Sequence, residues 1–167
     1  SDVYAAGTTA GSLEMKTASD SINLNAGQSF DVTFSFNAET SGFGGYLTYD
    51  NSVFTSVTVV VDGGTTSGKT DNNGEWKASY NGYTHFLSVD YYKKDAAGNT
   101  TGQIADPVKV TGSSIATLKF TSAKPVIKTD ITFSPSYLRT NGTDVELKTQ
   151  KLTLTNSQAK AVTLSLG

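Results

Sequence analysis

His85 is the only histidine of the chain and the first place to look for proton transfer or metal ligation. Alone it cannot form a two-histidine metal site, and a Ser-His-Asp triad would have to be built around it. It lies between Thr84 and Phe86, just after a turn signal, and no Gly-x-Ser-x-Gly elbow occurs in the sequence. A hairpin-end histidine is the better reading. Glycoside hydrolysis needs two convergent carboxyl groups. The acids here sit in turn-like stretches (Asp50, Asp62, Asp71, Asp106, Asp144) or singly in strand-like runs (Asp31, Asp90, Glu146), and no spacing pairs two of them. The run DNNGE, 71–75, alternates acids and amides around a glycine. It lacks the remaining ligands and the distal glutamate of a calcium loop, so it reads as a turn before Trp76. GFGG, 42–45, has glycines but no following helix to offer an N-terminus to phosphate, and close packing or a bulge explains it better. Cysteine is absent, which removes disulfides, thiolate zinc sites and a cysteine nucleophile together. The chemistry-bearing residues argue against an enzyme, and what remains is surface.

The elements that would carry that surface are strands. Period-two alternation runs through nearly the whole sequence. In FDVTFSF, 30–36, Phe30, Val32, Phe34 and Phe36 share one face while Asp31, Thr33 and Ser35 share the other. LEMKT (13–17), 44–49, 54–61, WKASY (76–80), HFLSVDYY (85–92), IATLKFT (115–121), ITFSPSYL (131–138) and the run from about 150 to 166 continue the pattern, giving roughly nine strands. Asn81-Gly82 predicts a hairpin, because both residues tolerate positive φ. Strands this short and numerous must close into a sandwich or barrel to bury their apolar faces. The stretch 94–114 interrupts the rhythm. A loop of that length is functional, mobile, or hides a short helix or strand, and Ala96, Ala97, Ile104 and Ala105 could support one helical turn. Pro135 cannot donate to a ladder, so its strand is an edge or carries a bulge there. In 85–92, alternation sends Leu87, Val89 and Tyr91 to the core and Phe86, Ser88, Asp90 and Tyr92 outward. Tyrosine suits binding surfaces, although several of the eight could instead cap the ends of the core.

Bulk properties agree with a single domain over 1–167 that binds neither nucleic acid nor membrane. The net charge is −2, no basic patch stands out, and no window approaches 18 apolar residues. The first residues lack the pattern of a signal peptide, so the chain reads as a mature domain or an excised module. Many Thr, Ser, Gly and Asn with few charges suit an extracellular β-module.

The order of motifs resembles that of a cohesin, the dockerin-binding module of bacterial scaffoldins. LEMKT followed by NLNAGQSFDVTFSF is similar to the family's opening pair of strands. GYLTYDNSVFTSVTV is similar to its next pair, with Asn51 where Pro is usual and Phe54 where Leu is usual. IATLKFTSAKP and ITFSPSYLRTNGTDVELKTQKLTLTN are similar to the closing strands. The similarity covers about 12–156, leaving a flexible N-terminus and a possible extra C-terminal strand segment. It implies an all-β, nine-stranded antiparallel sandwich of jelly-roll topology, acting as a monomer outside the cell or at the bacterial surface. The implied function is to bind a dockerin in a polysaccharide-degrading assembly, using the sheet of the eighth, third, sixth and fifth strands. Carried over by position, the partner-binding residues would be Gly44, Tyr46 and Thr48 on the third strand, and Tyr80 at the end of the fifth. On the sixth they would be Ser88, Asp90, Tyr92 and Lys93, and around the end of the eighth Tyr137, Leu138, Arg139 and Asn141. Tyr46, Tyr92 and Leu138 would give apolar contact and Asp90, Lys93, Arg139 and Asn141 a polar rim. Whether Tyr137 or Leu138 points outward depends on a bulge at Pro135. The resemblance puts calcium on the dockerin and implies no metal, cofactor or catalysis for this chain. The main alternative is a carbohydrate-binding module stacking sugars on the Trp76 and Tyr80 group. A structural sandwich of a surface-layer or adhesin protein is a third reading, and a glycosidase lacks a recognisable acid pair.

Overall fold

Alternation that buries one face of each strand produces two facing sheets in the computed structural model, which describes residues 13–63, 65–67, 74–111, 114–140 and 148–159. The strands are β1 (Leu13–Lys16), β2 (Ser21–Ile22), β3 (Ser29–Phe36), β4 (Ala38–Thr48), β5 (Phe54–Val61), β6 (Thr65–Ser67) and β7 (Gly74–Tyr80). They continue with β8 (Phe86–Lys94), β9 (Thr100–Ile104), β10 (Val108–Thr111), β11 (Ser114–Ser122), β12 (Lys128–Thr140) and β13 (Gln150–Asn156). The nine expected strands are all present, and β2, β6, β9 and β10 are short additions. One sheet has the order β1-β3-β11-β5. The other runs β2-β13-β12-β4-β10-β6, with β8 also on β4, and β7 and β9 on β8. Every pairing is antiparallel except β13 with β2. The neighbours β12-β4-β8-β7 reproduce the order implied for the eighth, third, sixth and fifth strands.

The core lies between the sheets. Val32, Phe34 and Phe36 of β3 face Phe43 and Leu47 of β4, Leu87 and Val89 of β8, and Ile131 and Phe133 of β12, all of them buried. Phe34 meets Phe133 edge-on at 5.0 Å and lies tilted against Phe43 at 5.7 Å. Each such ring contributes about 1.5–3 kcal/mol through burial. A buried polar side chain also joins the layers: Gln150 accepts from the Met15 amide at 2.8 Å and donates to the Leu13 carbonyl, tying β13 to β1.

One connection differs from expectation, and the long stretch 94–114 takes one of the forms left open for it. The hairpin between β7 and β8 is present, but Gly82 does not supply the positive φ. His85 does, at 62°, while the Asn81 side chain accepts from the Tyr83 and Thr84 amides. His85 is held there by stacking on Tyr49 at 4.8 Å and Tyr80 at 6.3 Å. The stretch 94–114 contains no helical turn among its described residues. Asp95 closes a tight turn by accepting from the Ala97 and Asn99 amides, and β9 and β10 follow. They extend β8 and then β4, so that β4 pairs with β8 over Gly42–Tyr46 and with β10 over Ala38–Thr40.

Candidate functional site

The outer face of β12-β4-β8-β7 is built from every second residue. On β4 these are Gly42, Gly44, Tyr46 and Thr48, because Phe43 and Leu47 point to the core. On β8 they are Phe86, Ser88, Asp90 and Tyr92, as alternation predicted. Cross-strand register places Tyr46 beside Phe86 and Ser134, Gly44 between Ser88 and Tyr137, and Gly42 between Asp90 and Arg139.

β12 reaches this arrangement through a bulge. The register shifts between Pro135 and Tyr137, which turns Tyr137 outward and Leu138 inward. β13 pairs with β12 only as far as Phe133. Pro135 therefore sits where β12 has β4 alone as a paired neighbour among the described residues, so both readings of the proline hold locally. Leu138 is half-buried against the core, and the apolar contact expected of it passes to Tyr137.

Three aromatic rings form a strip across the face. Tyr46, 50 % exposed, meets Phe86 edge-on at 4.8 Å, and Phe86 lies 6.4 Å from Tyr137. The Arg139 guanidinium continues the strip, 4.6 Å over the Tyr137 ring. Phe86 is absent from the residues that the resemblance implies, although its outward parity was legible from alternation in 85–92.

Glycines make the strip lie flat. A Cβ at Gly44 would come within 2.8 Å of Tyr137 Cζ and 3.0 Å of Cδ1, with Cε1 closer still. The ring occupies the space a side chain would fill. At Gly42, where φ is +147°, a Cβ would meet the Val89 carbonyl oxygen at 2.7 Å, with an Asp90 carboxylate oxygen closer. The close packing expected of GFGG is thus packing of Tyr137 and Asp90 onto the strand. Gly44 is buried under that ring and offers no surface of its own.

Asp90 departs most from its expected role as an exposed rim residue. It is only 5 % exposed. The Tyr137 hydroxyl donates to it at 2.9 and 2.8 Å, and Arg139 Nε donates at 3.3 Å. Burial, the hydrogen bond to Asp90 and its negative charge push the Tyr137 phenol well above the usual tyrosine range.

Two further expectations fail. Tyr80 shares the inward parity of Trp76 on β7, packs against the core, and meets the Tyr49 hydroxyl at 2.6 Å. Burial and that hydrogen bond push its phenol well above the ordinary value. Lys93 is exposed but pairs with Gly74 and alternates to the opposite side of β8 from Tyr92, so it does not join the face. Thr48, Ser88, Tyr92 and Arg139 do lie on it, while Asn141 falls outside the described residues. Residues 71–73 of the DNNGE run and the C-terminal VTLSL run also lie outside them. Trp76 is buried against Tyr91 at 5.0 Å, so Trp76 and Tyr80 form no platform for sugars. The described residues hold no group of three His, Cys, Asp or Glu side chains placed to share a metal ion.

The face is not flat throughout. Beside Ser88, Asp90 and Tyr92, β9 rises to form one wall of a groove of about 540 Å3, lined also by Lys77, Ser79 and Thr101. Its hydroxyl-rich lining sits next to the aromatic strip, so the surface offers apolar contact at its centre and hydrogen-bonding groups at one side.

No family model and no curated protein matches the sequence. Solved structures do. The solution structure of CaCohA2 from Clostridium acetobutylicum is similar with a TM-score of 0.50 at 16 % identity, over 90 % of this chain and 94 % of that one. A type II cohesin domain from the cellulosome of Acetivibrio cellulolyticus gives 0.49 at 13 % identity, over 87 % and 95 % of the two chains. A type I cohesin–dockerin complex from Clostridium thermocellum, Coh-OlpA with Doc918, gives 0.49 at 12 %, over 86 % and 98 %. At these identities the likeness is one of fold, and the fold of this chain is a cohesin-like β-sandwich.

Proposed function

We propose that the chain is a non-catalytic docking module that binds a calcium-loaded dockerin through the outer face of β12-β4-β8-β7. It would act outside the cell or at the bacterial surface, in assembling polysaccharide-degrading enzymes. The observation that carries this reading is the strip Tyr46–Phe86–Tyr137, ending in Arg139, on the outer side of a sheet whose inner side already supplies the core. Rings and an arginine at the centre of a face, flanked by hydroxyl groups, form the composition that protein interfaces favour. The resemblance to cohesins supports the dockerin as partner and implies that the calcium belongs to the dockerin.

Calorimetric titration with a panel of dockerins in calcium, alongside affinity gels containing cellulose, xylan or starch, tests the proposal. Binding to a dockerin that is lost on chelation is expected, with no retardation in the gels. Retardation by a polysaccharide without binding to any dockerin would sink it.

A further inference from the structure

Among the described residues, Asp90 is the one charged residue in the buried set. It lies on the outer side of β8, yet its cover comes from β12, across the whole width of β4. The span is possible because β4 places glycine at both crossing points: Gly42 pairs with Asp90 and Arg139, and Gly44 pairs with Ser88 and Tyr137. Above Gly42 the carboxylate takes the Tyr137 hydroxyl on both oxygens and Arg139 Nε on one. The backbone of β12 is fixed at the same point, where Thr40 Oγ1 donates to the Arg139 carbonyl at 2.8 Å.

We propose that Asp90 is a positioning residue of the docking face and not a contact of the partner. Its carboxylate holds the Tyr137 ring flat over Gly44 and draws Arg139 inward, so ring and guanidinium meet the partner already arranged. The inference rests on the docking reading above. The physical reason is twofold. Removing the carboxylate strands a half-buried phenol, and removing its donors strands a buried charge, so the three groups act as one unit. Holding two side chains in the bound geometry beforehand also removes their ordering cost from the binding step.

The free protein gives the first test. Arg139 is the only arginine of the sequence, so its Nε–H signal in a 15N-labelled sample is unambiguous. Hydrogen exchange there is expected to be at least tenfold slower than in a free arginine side chain, and the protection should vanish in Asp90→Asn. An unprotected Nε–H in the unchanged protein would overturn the proposal.

The second test is a binding cycle, run with a calcium-loaded dockerin that binds the unchanged module. Asp90→Asn and Tyr137→Phe should each weaken binding about tenfold, and the double variant no more than twofold beyond the weaker single. Asp90→Asn with Tyr46→Ala should instead multiply, since Tyr46 lies outside the unit. A roughly hundredfold loss for Asp90→Asn with Tyr137→Phe would mark Asp90 as an independent contact and overturn the inference. Should Asp90→Asn fail to fold, Tyr137→Phe retains an aromatic ring and the Asp90 charge while removing the hydroxyl that joins them. Its Nε–H protection, with its binding beside that of Arg139→Lys and of the pair, then decides by the same criterion. If no dockerin binds the unchanged module, the docking reading fails, while the exchange measurement still decides whether Asp90 holds Arg139.

Discussion

Gly44→Ala tests the packing that underlies the whole outer face, because two effects predict opposite signs. Glycine inside a strand weakens it, so alanine on backbone grounds alone should stabilise the protein by about 0.5–1 kcal/mol. The surroundings of Gly44 predict the reverse. A Cβ there would lie 2.8 Å from Tyr137 Cζ and 3.0 Å from Cδ1, about 1 Å inside the normal carbon–carbon separation of roughly 3.5–4.0 Å. The ring would have to lift, and its hydroxyl would leave the Asp90 carboxylate. Hydrogen bonds to a charged group contribute about 1.5–3 kcal/mol, and overpacking adds about 1–3 kcal/mol where it cannot relax. After the backbone gain is subtracted, a net loss of about 1.5–5.5 kcal/mol is expected, a large share of a typical domain stability of about 5–15 kcal/mol.

Urea unfolding, followed by circular dichroism and by fluorescence of the single tryptophan, Trp76, measures this directly. Gly82→Ala is the control, since nothing lies within 4 Å of a Cβ there, and it should stay within about 0.5 kcal/mol of the parent. The decisive comparison is the same change in a Tyr137→Ala background, where the cost should fall below about 1 kcal/mol because the two sites are in contact. An alanine at Gly44 that stabilises the protein, or costs the same in both backgrounds, would refute the reasoning.

Tyr46→Ala and Leu138→Ala should separate docking from stability: the first weakens dockerin binding at least tenfold with little change in urea midpoint, and the second destabilises by about 1–2 kcal/mol for a half-buried leucine with binding changed less than threefold. In alkaline titration at 295 nm, Tyr80 and Tyr137 should keep their protons above the ordinary tyrosine value of about 10. Their folded pKa values are raised, so their contribution is fully present below the unfolded value near pH 10 and is lost as pH rises through the folded values; calorimetric midpoints should fall above about pH 10, and a Tyr80→Phe, Tyr137→Phe double variant should fall less steeply. Gln150→Ala leaves the Met15 amide and the Leu13 carbonyl without their buried partner and should cost about 2–3 kcal/mol in urea unfolding, with hydrogen exchange accelerated at Met15.

The parts of this molecule that were legible in the sequence are those fixed by neighbours close along the chain. Alternation in 85–92 assigned Leu87, Val89 and Tyr91 to the core, and all three are buried. It also assigned Phe86 outward, where it joins the strip. Tyr80 points inward because it shares parity with Trp76 on β7, which its position relative to the family's strands does not reveal. That relative position is equally silent on Lys93, one residue beyond the alternating set. For Tyr137 and Leu138 the two parities stayed open until the bulge after Pro135 decided between them. The loop 94–114 held strands rather than a helical turn because β8 and β4 leave two stretches of edge there that need hydrogen-bond partners.

The burial of Asp90 was hidden for a different reason. Neither Asp90 nor its neighbours in sequence distinguish an exposed acid from a covered one. The cover comes from β12, 47 residues away at Tyr137, and depends on what β4 lacks. Yet that absence is itself readable. Gly42 and Gly44 occupy outward positions in the middle of a strand whose inward side carries Phe43 and Leu47, where a solvated face would normally carry Thr, Lys or Ser. A central strand that places glycine at successive outward positions leaves a trough one strand wide, and a ring from a cross-strand partner stabilises such a glycine by covering it. Gly44 directly faces Tyr137 in register, which is that arrangement. Once β4 is known to sit between β8 and β12, its two glycines predict that side chains of those strands meet above it. An acid and an arginine paired to the same glycine are then the first candidates. The glycines that make no phosphate cradle are what let Tyr137 and Asp90 pack onto β4.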